Sequence, residues 1–182
     1  MPFGRPKSRE PLTEQELLEY AVKALATKMR SVRDLRRLMA ARVVPGSEGE
    51  AMMNRVITKL EEMKYLSDPR FAADFTRLRQ ENQSFGRRRV QQDLQQKGIN
   101  KELIAETLDT AYDDVNEAAL ARQYVERKRI KPPVNEKEAA RVLRRLVRAG
   151  FSTGTVFKIL RELKVPEEAL SEAEGAELDL SE

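Results

Sequence analysis

The sequence predicts an all-α protein: a tandem array of three three-helix modules with helix-turn-helix-like connections, elongated and curved. Three observations carry that expectation. First, Val90, Leu94, Gly98, Ile99 and Asn100 recur in register 52 residues later as Val142, Leu146, Gly150, Phe151 and Ser152, and the match runs on from Ile104 and Leu108 to Val156 and Leu160. Leu35, Met39 and Val44 form a fainter earlier copy of Val90, Leu94 and Ile99. Second, no strand alternation or hairpin dipeptide competes with helical spacing. Third, aromatics are only 5% and charged residues 35% of 182 residues, so each module buries a small core and repetition, not one large core, supplies the stability.

The elements follow from local signals. The first module reads as helices over about 14–28, 32–41 and 50–63. Ser31 with Asp34 resembles a capping box, and Pro45-Gly46-Ser47 through Gly49 breaks the chain in place of a tight turn. The second reads as helices over about 69–81, 87–97 and 101–112. Val90 and Leu94 lie one turn apart on one face, Gly98 can take the left-handed conformation that ends a helix, Ile99 anchors the turn, and Asn100 caps the next helix. The third reads as helices over about 116–129, 136–149 and 153–163. Pro132-Pro133 stops its first helix, Asn135 with Glu138 opens the second, and Gly150, Phe151 and Ser152 repeat the stop, anchor and cap. Phe71, Phe75, Leu78, Val90, Leu94 and Ile99 are expected to form the core of the central module.

These elements divide the chain into a flexible basic arm at 1–11, modules at 12–66, 67–113 and 114–164, and an acidic tail at 165–182. Seven of the 30 acidic residues follow the last basic residue, Lys164, so the rest of the chain carries 34 basic against 23 acidic side chains. A body with a net charge of +11 suits a polyanionic partner, and the tail, low in apolar content, is expected to be disordered and able to compete for the basic surface.

The basic residues are patterned. Arg141, Arg144, Arg145 and Arg148 fall at i, i+3, i+4 and i+7, away from Val142 and Leu146; Arg33, Arg36 and Arg37 repeat the first part of that stripe. Arg87, Arg88 and Arg89 crowd one helix N-terminus, where three cations oppose the macrodipole, so stability does not explain them. Arg77, Arg79 and Lys97 complete the candidate binding face. A single such stripe is ordinarily a solvated helix face; three on equivalent helices point to a polyanion or an acidic protein surface. Sequence-specific duplex readout fits less well, because the helix after the glycine turn, 101–112, carries Glu102, Glu106 and Asp109 and would be repelled by phosphate.

Other classes find little support. The chain has no His and no Cys, which removes the usual general base, the thiol nucleophile, disulfides and thiolate metal sites; no cofactor is expected. Gly46 and Gly49 sit in an insertion without the Lys and Ser/Thr of a phosphate loop. No apolar run spans a membrane, and 1–9 lacks the apolar core of a signal peptide, so a cytoplasmic, non-enzymatic protein without membrane contact is expected.

The same residues carry a resemblance. Tyr65-Leu66-Ser67-Asp68, Arg70-Phe71-Ala72, Phe75, Arg79, Gly86, Arg89-Val90, Leu94 and Lys97-Gly98-Ile99 together resemble the central signature of the RecX regulatory proteins, a likeness that extends over about 12–163. Ser67 stands where that family usually has an acidic residue, Arg87 where it often has proline, and the 45–49 insertion departs from its first repeat. The resemblance implies three tandem three-helix modules, acting as a monomer, that bind the RecA filament on single-stranded DNA and inhibit its ATPase, strand-exchange and coprotease activities, modulating recombination and the SOS response. It implies that the arginine stripes face RecA or its bound DNA. A direct nucleic-acid binder built from the same modules, and a purely structural helical adaptor, are the alternatives of different class.

Overall fold

The structure, a computed structural model, describes residues 10–165. The basic arm up to Arg9 and the acidic tail beyond Val165 lie outside the described residues. Within them the chain forms nine helices and no strand: α1 (Glu14–Thr27), α2 (Val32–Ala40), α3 (Ser47–Glu62), α4 (Asp68–Gln83), α5 (Arg87–Gln96), α6 (Lys101–Tyr112), α7 (Glu117–Arg127), α8 (Glu136–Arg148) and α9 (Thr153–Glu162). It separates into two compact units, one of residues up to Phe71 with Lys97–Asn100, the other of Ala72–Gln96 with the chain from Lys101 onward.

In the first unit α1 packs on α2 and α3, and α2 on α3. Leu17, Ala21, Leu35, Met39, Val56 and Leu60 fill the centre, spaced at three or four residues along their helices. A full capping box opens α1: Glu16 N donates to Thr13 Oγ1 at 3.4 Å and Thr13 N to Glu16 Oε2 at 2.9 Å. The Thr-x-x-Glu spacing at 13–16 is its signal. Ser31 caps α2 through Asp34 N at 3.1 Å, but the reciprocal half of the expected box is missing. Asp34 turns instead to Lys97 at 2.7 Å, while Ser31 Oγ also donates to Lys97 O at 2.7 Å.

Two expectations for this unit need correction. α3 starts at Ser47, three residues earlier than the expected start at 50, so most of the segment read as a break is the first turn of the helix. Gly46 serves as N-cap at φ +110°, and Gly49 lies inside the first turn, where a Cβ would stand 2.0 Å from the Val44 carbonyl oxygen. Val44 is 48% exposed and does not take the Ile99-like position; the insertion shifts the register by one and buries Val43 instead.

In the second unit α5 packs on α6, and α9 on both α7 and α8. Its core holds Leu120, Ala121, Tyr124, Val142, Leu143, Leu146, Phe151, Val156, Phe157 and Leu160, with Val165 closing it beyond α9. Val90, Leu94, Ile104 and Leu108 are buried as their helical spacing predicts, and Phe71 and Ile99 are buried in the first unit. Leu78 is the exception at 37% exposed, and Phe75 is half-buried, its ring covered by the Arg79 guanidinium at 4.7 Å. Gly98 and Gly150 take the expected left-handed turns, at φ +78° and +92°. The helix stop at 128–130 belongs to a different device from the one expected: α7 ends ahead of Pro132-Pro133, as Arg129 adopts φ +50° and Ile130 N donates back to Val125 O at 2.9 Å. Lys64, Ser84 and Lys164 end α3, α4 and α9 in the same left-handed way without glycine.

Candidate functional site: an arginine-lined cleft

The site is built around the stretch between α4 and α5. Tyr112 Oη donates to Phe85 O at 2.8 Å, Arg127 Nη1 to Asn82 O at 2.8 Å, and Gly86 N to Ala149 O at 2.8 Å. The segment is therefore pinned by the end of α6, the end of α7 and the end of α8. Burial pushes the Tyr112 hydroxyl far above its ordinary pKa, outweighing the hydrogen bond with Gln80 and the Arg87 charge, so it stays a neutral donor. Backbone meets backbone where Gly86 passes Gly150: a Cβ on Gly86 would stand 2.3 Å from the Gly150 carbonyl oxygen, and one on Gly150 2.3 Å from Arg89 N. Arg88 N completes the seam with a bond to Gly150 O at 3.3 Å.

This seam sets the start of α5 beside α8 and leaves a cleft of about 510 Å³ between them. Phe85, Tyr124 and Ala149 form its apolar floor, with the two rings 6.3 Å apart. Arg141, Arg144, Arg145 and Arg148 of α8 and Arg89 of α5 form the walls. Asn135 caps α8 through Glu138 N at 3.0 Å, and Ala139, Val142, Leu143 and Leu146 bury the opposite face, which turns the arginine stripe outward. All four α8 arginines are exposed, and among the described residues no carboxylate lies within 4.0 Å of any of them.

The other predicted cations are engaged elsewhere. Asp93, with its side chain 8% exposed, sits between Arg79 Nε at 3.3 Å and Arg89 Nε at 3.1 Å, ion-pair distances without hydrogen-bond alignment. Arg89 also lies 5.5 Å from the Phe85 ring centroid. Arg77 is paired along its own helix with Glu81 at 3.0 Å and Asp74 at 3.4 Å. Arg87 meets Asp109 at 2.5 Å, an exposed ion pair that offsets part of the charge crowded at the N-terminus of α5. Arg88 is exposed. In the first unit Lys97 is held by Asp34 and the stem of Arg33 lies against Gly98, with Arg36 half-buried and Arg37 exposed.

Behind the cleft, Glu117 at the start of α7 holds the start of α9. It accepts from Ser152 N at 2.9 Å, from Thr155 Oγ1 at 2.5 Å and from Ser152 Oγ. Partial burial would raise its pKa, but the bonds from Ser152 and Thr155, helped by the Arg88 charge, hold it below the ordinary glutamate range. This is capping chemistry: Ser152 is the N-cap of α9 and donates nothing to a free site. Among the described residues no cluster of three or more His, Cys, Asp or Glu could hold a metal ion, and no helix is long and apolar enough to cross a membrane.

Sequence reasoning finds every arginine of the cleft but none of its floor. Tyr124 follows Leu120 and Ala121 on the apolar face of α7, a signal that predicts burial and not a cleft; nothing in the sequence places Phe85 across from it.

Fold and site define an all-α helical repeat protein with an open cleft lined by arginines. Residues 67–108 match the family model described as RecX, second three-helix domain. The chain is 34% identical to the regulatory protein RecX of Escherichia coli over 85% of this chain and 95% of that one. It is 33% identical to the regulatory protein RecX of Salmonella typhimurium over 87% and 98%. The crystal structure of RecX from Lactobacillus salivarius superposes with a TM-score of 0.61 at 20% identity, covering 83% of this chain and 96% of that one. A second crystal structure of a regulatory protein RecX gives 0.67 at 20% identity, covering 82% and 73%. The chain belongs to the RecX family of regulatory proteins.

Proposed function

We propose that this protein binds the RecA filament on single-stranded DNA and inhibits its ATPase, strand-exchange and coprotease activities, so that it restrains recombination and the SOS response. The observation that carries this reading is family membership over nearly the whole length of the relatives, joined to a stripe of arginines with no carboxylate partner among the described residues. In this reading the protein works in the cytoplasm as a monomer. Its modules at 12–66, 67–113 and 114–164 dock in succession, each raising the effective concentration of the next on neighbouring protomers.

The test is a titration of RecA's DNA-dependent ATPase, with affinities measured in parallel for filament, free RecA and naked single-stranded DNA. Inhibition with clear preference for the filament is expected; equal affinity for all three would sink the multivalent model. A second reading, direct binding of nucleic acid by the modules, is favoured by the unpaired arginines of α8 and expects submicromolar binding to DNA without RecA.

A further inference from the structure

Arg141, Arg144, Arg145 and Arg148 stand exposed on α8 at i, i+3, i+4 and i+7, spacings at which like charges on a helix repel one another. Acidic side chains of the same unit are taken up elsewhere: Glu162 by Arg122 at 2.7 and 2.8 Å, Glu117 by Ser152 and Thr155, Asp93 by Arg79 and Arg89, and Glu138 by the Val134 amide at 3.1 Å. None of the four α8 arginines has a carboxylate at ion-pair distance among the described residues. The sequence itself holds a source of counter-charge: residues 166–182 include seven acidic side chains and no basic one. Val165, just before that run, is 6% exposed and belongs to the same core as Val142, Leu143 and Leu146 of α8. The acidic segment is therefore tethered to the core that the inner face of α8 builds. Its 17 residues can reach about 55–60 Å when extended, enough to pass round a helix about 10–12 Å across.

We infer that the acidic segment 166–182 docks on the α8 arginine stripe as an intramolecular counter-anion, which an external partner must displace. The contact stands apart from the proposed function; only its consequence for inhibition rests on that reading. Three features favour the chain's own segment as occupant. Its charge is opposite to that of the stripe and undiluted by lysine or arginine. The tether at Val165 holds it at an effective concentration on the order of millimolar. Its acids also match the stripe in scale: Glu172, Glu174, Glu177 and Asp179 follow one another at two or three residues, roughly 7–10 Å in extended chain. The four arginines span about 10 Å along α8. Two carboxylates therefore meet the stripe in any of several registers, and a segment with several equivalent registers loses less freedom on docking than one locked in a single fit. Exposed ion pairs are individually weak and screened by salt. The segment thus sets a threshold: it competes with anions that bind at one site and yields to an array that several modules grip at once.

The experiment uses the full chain. The sequence has no cysteine, so Ser181→Cys carrying a nitroxide places a single probe near the end of the segment. Paramagnetic broadening of backbone amides is measured at low salt, at about 0.5 M salt, where the Debye length falls to about 4 Å, and in a neutral-tail variant combining Glu172→Gln, Glu174→Gln, Glu177→Gln and Asp179→Asn. Broadening should centre on α8 from Arg141 to Arg148, fade with salt and in the neutral-tail variant, and be weak on α6, whose exposed face carries Glu102, Glu106 and Asp109. Broadening of α8 that neither salt nor the neutral tail alters reports the tether alone and overturns the inference. Broadening centred on Lys158 and Arg161 of α9 instead overturns it as well. In a titration of RecA's DNA-dependent ATPase at low salt, the neutral-tail variant should inhibit at about fivefold lower concentration than wild type, the equivalent of two or three exposed ion pairs. Arg144→Gln with Arg148→Gln should shrink that gain; an equal gain in both backgrounds would mean that the segment acts through overall charge, which overturns docking. Failure of wild type and variants alike to inhibit overturns the proposed function, and the relaxation measurement then decides the contact by itself.

Discussion

At the scale of single residues, backbone conformation makes the sharpest demands. Gly150 combines φ +92° with a Cβ position 2.3 Å from Arg89 N. Gly150→Ala should therefore cost about 2–4 kcal/mol, left-handed strain and overpacking added together; a denaturant midpoint equal to wild type would show that the seam can yield. Arg129 presents the opposite case, an exposed non-glycine residue at φ +50° that ends α7. Arg129→Gly should stabilise by up to about 1 kcal/mol, the relief of strain less the entropy of the unfolded glycine, and urea unfolding would register it. Glu117 gives a pH dependence. Its folded pKa lies below its unfolded value of 4.5, so its contribution is complete above that value and is lost as pH falls through the lower folded one. Wild type and Glu117→Gln should then differ in thermal stability near neutral pH and converge in acid; a difference constant with pH would assign the effect to packing.

The helices show how the same kind of residue serves two ends. In α5, Asp93 lies on the buried face and holds Arg79 and Arg89, cations that would otherwise repel each other across the Phe85 ring. Asp93→Ala should destabilise by about 1–3 kcal/mol, less than a fully buried pair because both guanidiniums are partly solvated; it should also loosen Arg89 in the cleft wall, seen as faster amide exchange at the start of α5. In α8, Arg145 and Arg148 sit in the last turn, where cations interact favourably with the helix dipole by about 0.3–1 kcal/mol each. Arg141 and Arg144 stand too far from that end to benefit, and stability offers them no comparable reason.

For the whole molecule, the question is how charge is distributed over a repeated frame. The repeat places an arginine-bearing helix before each glycine turn or its substitute, yet the fold pairs much of the charge on α5 and leaves the α8 arginines without carboxylates among the described residues. Replacing Arg141, Arg144, Arg145 and Arg148 by Ala should lower the log-log salt dependence of filament binding by about 0.7 for each single-strand phosphate that these side chains neutralise. A weaker affinity with an unchanged slope would assign the four arginines to the protein component of the filament.

Local physics makes most of the frame legible. Apolar residues at helical spacing, Asn135 and Ser152 as caps, and Gly98 and Gly150 as left-handed stops act within a few residues of themselves, and their elements stand within about three residues of where spacing places them. The stops at Lys64, Ser84, Arg129 and Lys164 are hidden because a left-handed residue with a Cβ has no compositional mark. The candidate site divides in the same way. That Arg141 to Arg148 form one outward stripe follows from 3.6 residues per turn, and the sequence by itself determined it. Which arginines remain unpaired was decided only by tertiary structure, since ion pairs such as Arg87 with Asp109, 22 residues apart, and the approach of Gly86 to Gly150 depend on how distant helices meet, and a cleft exists only where two such surfaces fail to close.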